Sequence, residues 1–239
     1  LARFVTVDNS LVGTAGMKKI INRYSATSGA EELAMGEGNS KDIDVSFTPV
    51  EYTIKLVQNR FPYFDEQEMQ DPMVVPVGMN MAGADLYNKM NDDIYAEFNK
   101  TTNTYDVKND WKFSDWANAS AQLGLENLAG VEKFAFICPL DEAKVRIALE
   151  DSLKYVEAFA TQGYVGTVAG INVFTKKDAV EGTAIMGTKK AVRLLHKKGV
   201  EIEQEREGNI RKNTIYSRKY YIVALEDETK AVKMTKASA

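Results

Sequence analysis

Between Gly29 and Phe61 the chain reads GAEELAMGEGNSKDIDVSFTPVEYTIKLVQNRF, a long charged segment with a glycine-rich middle. In its second half Val50, Tyr52, Ile54 and Leu56 alternate with Glu51, Thr53 and Lys55, the period of two of a strand with unlike faces. Extended from Val45 to Phe61, this leg would span about 50 Å at roughly 3.3 Å per residue, far beyond a strand of five or six residues. Ala34-Met-Gly-Glu-Gly-Asn-Ser40 supplies the tip, because Gly and Asn accept positive φ. Pro49 removes one ladder donor, which suits a strand with a free edge. A hairpin of that length is all edge and cannot bury itself. It needs a partner surface, and in a chain with no evident catalytic set a second copy of the chain is the natural one.

The flanking segments give an order of parts. Residues 1–28 alternate weakly and are rich in Ser, Thr, Asn and Gly, which predicts an extended arm with a short helix around Met17 to Arg23. After the hairpin come an acidic cluster, Pro72 and Pro76, and then Ala82, Leu86, Met90, Ile94 and Phe98 at steps of four. Taken from Asn80 to Asn99, that helix is about 30 Å long at roughly 1.5 Å per residue. Thr101 to Asp110 reads as a connection. A compact α/β stretch follows: Ser114 as N-cap of a helix through Leu123, a strand at Phe134 to Ile137, and Pro139-Leu-Asp-Glu-Ala opening a helix. Short strands at Ile171 to Phe174 and Ala184 to Met186 precede a helix over Lys189 to Leu195. Strands at Val200 to Glu207, Tyr221 to Leu225 and Ala231 to Met234 close the chain. The expectation is an antiparallel C-terminal sheet against the apolar stripe of the long helix, which makes the first domain discontinuous.

Charge is lopsided. From Lys189 onward there are 13 Lys plus Arg against 7 Asp plus Glu, while the residues before it carry 17 against 27. Opposed signs of this kind give register and specificity when copies meet. With a pI near 5.3 and no basic tail, a direct grip on nucleic-acid phosphates is disfavoured. No stretch approaches the eighteen or so apolar residues of a spanning helix, and the opening LARFVTVDNS lacks a signal-peptide layout, so a soluble intracellular product is expected.

No catalytic, cofactor or metal residues emerge. The lone His196, in Leu-Leu-His-Lys-Lys, reads as a charge at a helix end. The lone Cys138, in the run Phe-Ala-Phe-Ile-Cys, reads as a small buried hydrophobe. Asp65, Glu66, Glu68 and Asp71 lack a Gly-centred calcium loop and instead complement a helix N-terminus. Gly182-Thr-Ala-Ile-Met-Gly187-Thr-Lys189 has two glycines at P-loop separation, but Thr188 intervenes before the lysine. Gly163-Tyr-Val-Gly166 and Val168-Ala-Gly170 read as turn glycines, and Met79, Met81 and Met90 as gap-filling core.

In this order of parts the chain resembles the major capsid proteins of tailed bacteriophages, with the fold first described in phage Hong Kong 97. The resemblance implies an α+β Hong Kong 97 type fold: an N-terminal arm over residues 1–28, an extended hairpin (the E-loop) over 29–61, a peripheral domain with a spine helix over 62–110 and 199–239, and an axial domain over 111–198. Gly170-Ile-Asn-Val-Phe174 is similar to the family's glycine-led central strand, and Glu203-Gln-Glu-Arg206 and Ser217-Arg-Lys-Tyr-Tyr-Ile-Val-Ala224 to the closing strands of its peripheral domain.

The resemblance also implies a structural subunit, not an enzyme, that self-assembles through pentamers and hexamers into an icosahedral shell around a phage genome. Implied partners are other copies, a scaffolding domain or protein, portal and decoration proteins, and packaged double-stranded DNA by non-specific proximity only; no membrane and no cofactor are implied. The implied location is the virion, and the host cytoplasm during assembly. Family crosslinking chemistry would point to Lys41 or Lys55 with Asn209 or Asn213. An opening at Leu1 fits a product cut from a longer precursor and fits a trimmed expression product equally. The alternatives are an encapsulin-like nanocompartment shell and a small α/β enzyme.

Overall fold

The computed structural model describes residues 1–108, 111–125, 131–148 and 164–236. Its axis is a helix of 25 residues, α2 (Val74–Phe98), entered from the short helix α1 (Asp65–Gln70). Pro76 lies in the first turn of α2, where its missing N–H has no intrahelical role. Leu86, Met90, Ile94 and Phe98 form one buried stripe, as their spacing predicts. The N-terminal half of α2 differs: Met73, Val77 and Met81 are exposed, so of the three methionines expected in the core only Met90 is enclosed.

The stripe rests on a four-stranded sheet of order β1-β10-β11-β4, made of β1 (Thr6–Asp8), β4 (Lys55–Phe64), β10 (Val192–Glu207) and β11 (Lys212–Leu225). The β10-β11 and β11-β4 pairs are antiparallel, which puts the sequence-distant C-terminal strands beside α2. The helix expected over Lys189 to Leu195 is instead the start of β10. Val192 and Leu194 turn toward α2 while Leu195 packs with Ile222 and Ala224 on the other face. Covering both faces erases the alternation that would have marked a strand.

The hairpin is displaced relative to its expected limits. Its first leg is β2 (Lys18–Ala26), paired antiparallel with β3 (Val45–Thr53) in a two-stranded sheet of its own. The ribbon therefore spans residues 18–53 with a loop over 27–44, and Met17 to Arg23 is not helical. Lys18-Lys-Ile-Ile-Asn-Arg-Tyr-Ser-Ala26 carries no helical stripe; its backbone groups are satisfied by the β3 ladder. After Ile54, the extended chain continues as β4 into the four-stranded sheet.

A six-stranded sheet of order β5-β12-β9-β6-β8-β7 carries the rest: β5 (Thr104–Val107), β6 (Lys133–Ile137), β7 (Tyr164–Val168), β8 (Ile171–Thr175), β9 (Thr183–Thr188) and β12 (Ala231–Lys236). Three expectations change here. Residues 101–110 are not merely a connection, because β5 pairs with β12. β12 does not close the C-terminal sheet but lies between β5 and β9. Gly166 sits at a register shift within β7, not in a turn, while Gly163 lies outside the described residues. The β7-β8 turn itself is Ala169-Gly170, both with positive φ as a two-residue hairpin turn demands.

Each face of this sheet has a core. Phe134, Phe136 and Cys138 point to the side of α2, whereas Ala135 and Ile137 point to α3 (Phe113–Ala121) and α4 (Pro139–Ala148) through Trp116, Ala119 and Val145. Helix α3 begins one residue ahead of Ser114, with Lys112 in the cap position and no side-chain cap. Phe98 joins the two sheets. Its ring meets Phe134 edge-on with centroids 5.6 Å apart and covers Gly187, where an added Cβ would lie 3.1 Å from the ring.

Candidate assembly surface

Among the described residues, the ribbon is held to the rest of the subunit only at its root. Arg23 Nε donates to the Leu225 carbonyl at 3.1 Å and Nη2 to the Tyr52 hydroxyl at 3.1 Å, and Nη1 forms an ion pair with Glu228. The Tyr52 hydroxyl also donates to Leu225 O at 3.4 Å, and the Ile54 N–H to Met17 O at 2.8 Å. Ile21 and Tyr52 pack on Leu195, Ile222 and Ala224, the sheet face turned away from α2. One residue beyond Ile54, Lys55 Nζ reaches Asp93 Oδ1 at 3.1 Å, and Asp93 Oδ2 accepts from the Tyr221 hydroxyl at 2.7 Å. Burial alone would push the Asp93 carboxyl up, but Tyr221 and Lys55 outweigh it and hold it below the ordinary carboxylate range. None of these root contacts was legible in the sequence. Arg23 and Leu225 are 202 positions apart, and no local pattern marks either.

Beyond the root, the ribbon faces solvent. Cross-strand pairing puts Ile20, Tyr24 and Ala26 on one face with Phe47 and Val45, and the Tyr24 and Phe47 rings lie tilted to one another with centroids 6.2 Å apart. Phe47 is 60% exposed and Tyr24 69%. Both ribbon edges are unpaired among the described residues, and the hydrogen bonds of residues 27–44 stay within that loop. Such a surface is incomplete by itself.

Part of the opposite charge anticipated between copies is paired within the subunit. Arg206 bonds Asp65 at 2.8 Å and Arg211 bonds Glu66 at 2.5 Å, so the first two acids of the cluster ahead of α2 are matched by the β10-β11 turn. Asn213 Nδ2 also donates to Asp65, at 2.7 Å. Arg218 spans Glu201 and Glu203 at 3.0 and 2.6 Å. No group of three or more metal-ligating side chains occurs among the described residues.

The remaining candidate residues are not assembled into a site. His196 lies in β10, not at a helix end; burial, then Lys219, holds its pKa below the ordinary value, and its Nδ1 has no hydrogen-bond partner. Cys138 is buried in the core beside Phe136. Gly182 to Lys189 forms β9 and its flanks, not a phosphate loop. Lys41 and Asn209 are exposed, whereas Lys55 is engaged by Asp93, and Asn213 is buried against Asp65. No described helix is long and apolar enough to cross a membrane.

No family model matches the chain. A curated relative, the major capsid protein of Staphylococcus phage phiMR11, is 27% identical over 248 residues, covering 99% of this chain and 87% of the relative. The acid-stable capsid of Helicobacter pylori bacteriophage KHP30 superposes with a TM-score of 0.71 at 7% identity, over 97% of this chain and 86% of that one. The chain has the Hong Kong 97 type capsid fold. The capsid of Ralstonia phage GP4 shares it at a TM-score of 0.70 and 10% identity, over 99% and 88% of the two chains. So does a virus-like particle from Pyrococcus furiosus, at 0.65 and 14% over 98% and 91%.

Proposed function

We propose that this chain is the major capsid protein of a tailed phage or prophage, a structural subunit that closes into an icosahedral shell around the genome. The observation that carries this reading is the E-loop: a ribbon bonded to its own subunit at one end and apolar along one outer face. The full-length relationship to a phage major capsid protein supports the same reading. Copies are the principal partners, arranged as pentamers and hexamers. A scaffolding domain or protein, a portal and decoration proteins are further partners, assembly takes place in the host cytoplasm, and the product resides in the virion. DNA is enclosed without specific contacts, in keeping with the acidic pI of about 5.3.

Negative-stain imaging of the purified protein tests this directly. Closed shells are expected, and uniform particles of single-subunit size at high concentration would overturn it. A second reading, a protein nanocompartment, is motivated by the shared fold of the Pyrococcus virus-like particle. Shells that co-purify with one stoichiometric cargo protein would favour that reading over a phage capsid.

A further inference from the structure

His196 is the chain's single histidine, and alternation along β10 sets it on the α2 side of the sheet with Val192 and Leu194, while Leu195 packs on the other side. Across the ladder it is paired with Tyr221, which shares that side. The residue is half-buried, and its enclosed Nδ1 has no hydrogen-bond partner among the described residues. A neutral imidazole leaves only an unpaired acceptor or donor there. An imidazolium carries an N–H on both nitrogens and a net charge, and burying these without a partner costs more.

The groups that face His196 offer no compensation. From β11, Lys219 brings a second cation whose ammonium touches Met90 Sδ at 3.7 Å and has no ion-pair partner among the described residues. Burial holds the Lys219 pKa below the ordinary lysine value. From α2, Asp93 is taken by the Tyr221 hydroxyl at 2.7 Å and by Lys55 of β4 at 3.1 Å, with Lys89 3.6 Å away, and Asp92 is taken by Lys176 at 2.7 Å. On β10 itself, Lys197 donates to the Thr14 carbonyl, and Lys198 pairs with Glu201, which also holds Arg218 at 3.0 Å. Every one of these carboxylates already has a cation. Burial first and Lys219 second therefore hold the imidazole pKa below its ordinary value.

The ladder is interrupted at the same place. Register shifts fall between His196 and Lys198 and between Lys198 and Glu201, opposite Tyr221 to Arg218. A stretch with fewer ladder bonds opens at less cost than the strand around it. We propose that His196 is an acid-operated latch: neutral, it lets this stretch of β10 close on α2, and protonated, it opens the stretch, so that the subunit loses stability in a mildly acidic medium. The sign follows from linkage. In the unfolded chain the imidazole takes its proton near pH 6.5, in the folded chain only at lower pH, so its contribution is complete above about 6.5 and is lost as pH falls from there toward the folded value.

One other group titrates in this range. The Leu1 α-amine, bonded to Asn91, is brought down to about 6 by burial first, so the decisive comparison is with a variant that lacks only the imidazole. Chemical denaturation of the full chain, dilute and unassembled, is measured from about pH 7.5 to about pH 5.5. Over the unit below 6.5 the unfolding constant should rise about threefold to tenfold more for the wild type than for His196→Gln, one proton setting the tenfold limit. Equal slopes would overturn the latch. A second measurement needs no variant that folds. With one histidine in the chain, a single labelled imidazole resonance reports its titration directly, and a midpoint below about 6.5 is expected. A midpoint at or above that value would overturn the proposal. Lys219→Met should move the midpoint upward. Hydrogen exchange, corrected for its intrinsic pH dependence, should quicken on acidification in residues 194–202 before it does in β6, and uniform quickening would exclude a local opening.

Discussion

Strands β3 and β6 make an instructive pair. Both carry phenylalanines and β-branched or aliphatic residues: Val45, Phe47, Val50 and Tyr52 in one, Phe134, Ala135, Phe136 and Ile137 in the other. Yet every residue of β6 from Phe134 to Ile137 is buried, whereas Phe47 is 60% exposed. The difference lies in neighbours, not in apolar content. β6 has a strand on each edge and a layer on each face, while β3 has one partner strand and, past its root, no layer at all. Apolar side chains left in that state add little to the stability of an unassembled subunit and become contact area when copies meet.

The largest effect should come from removing what β3 reaches with. Replacing residues 27–44 by an Asn-Gly turn keeps the β2-β3 ladder yet should abolish shells with the subunit melt nearly unchanged. Wild-type particle yield from that variant would dissolve the contrast between the two strands.

Next in size is the same substitution made in both regions. Phe98→Ala removes a fully enclosed ring packed on Phe134 and Gly187, at an expected cost of about 3–5 kcal/mol in subunit unfolding. Phe47→Ala should cost the subunit under about 0.5 kcal/mol and act on assembly alone. Equal losses in chemical denaturation would mean that the two phenylalanines occupy similar environments after all.

A smaller effect is expected at the joint between ribbon and body. Asp93→Asn weakens the contacts of Lys55 and Tyr221 to a buried carboxylate, worth about 1–2 kcal/mol once the half-exposed lysine is discounted. Because the Asp93 pKa is depressed in the folded state, its contribution is present above the ordinary carboxylate value of about 4 and is lost as pH falls through the lower folded value. The variant should therefore show a flatter acid limb in melts as pH falls below the ordinary carboxylate value of about 4. An unchanged acid limb would remove Asp93 from the joint. Lys89 is exposed and lies 3.6 Å from Asp93, and its removal should be nearly silent.

The smallest effect on the subunit belongs to Arg211 and Lys212. Reversing both to glutamate breaks the exposed Arg211–Glu66 pair and the long contact of the largely covered Lys212 with the exposed Glu207, and should move the melt only slightly. Any assembly defect should shrink as salt rises, since screening shortens the reach of exposed charge to about 8 Å near physiological strength. A defect indifferent to salt would assign these residues to packing.

The sequence by itself determined those elements whose pattern is local. The stripe from Leu86 to Phe98 announces α2, the run Phe134 to Ile137 announces β6, and the alternation through Val50 to Leu56 announces an extended leg, because a single covered face or a fully covered strand imprints its period on the residues. Tertiary structure alone decided the rest. Lys18 to Ala26 becomes a strand because β3 offers a ladder, and Val192 to Leu195 belongs to β10 because layers close over both its faces. The Arg23 root and the Asp93 joint join positions between tens and two hundred residues apart. No local period encodes such pairs. They exist only once the sheets have brought distant segments together, and the sequence therefore showed that a long ribbon needed a partner surface without showing where that surface lies.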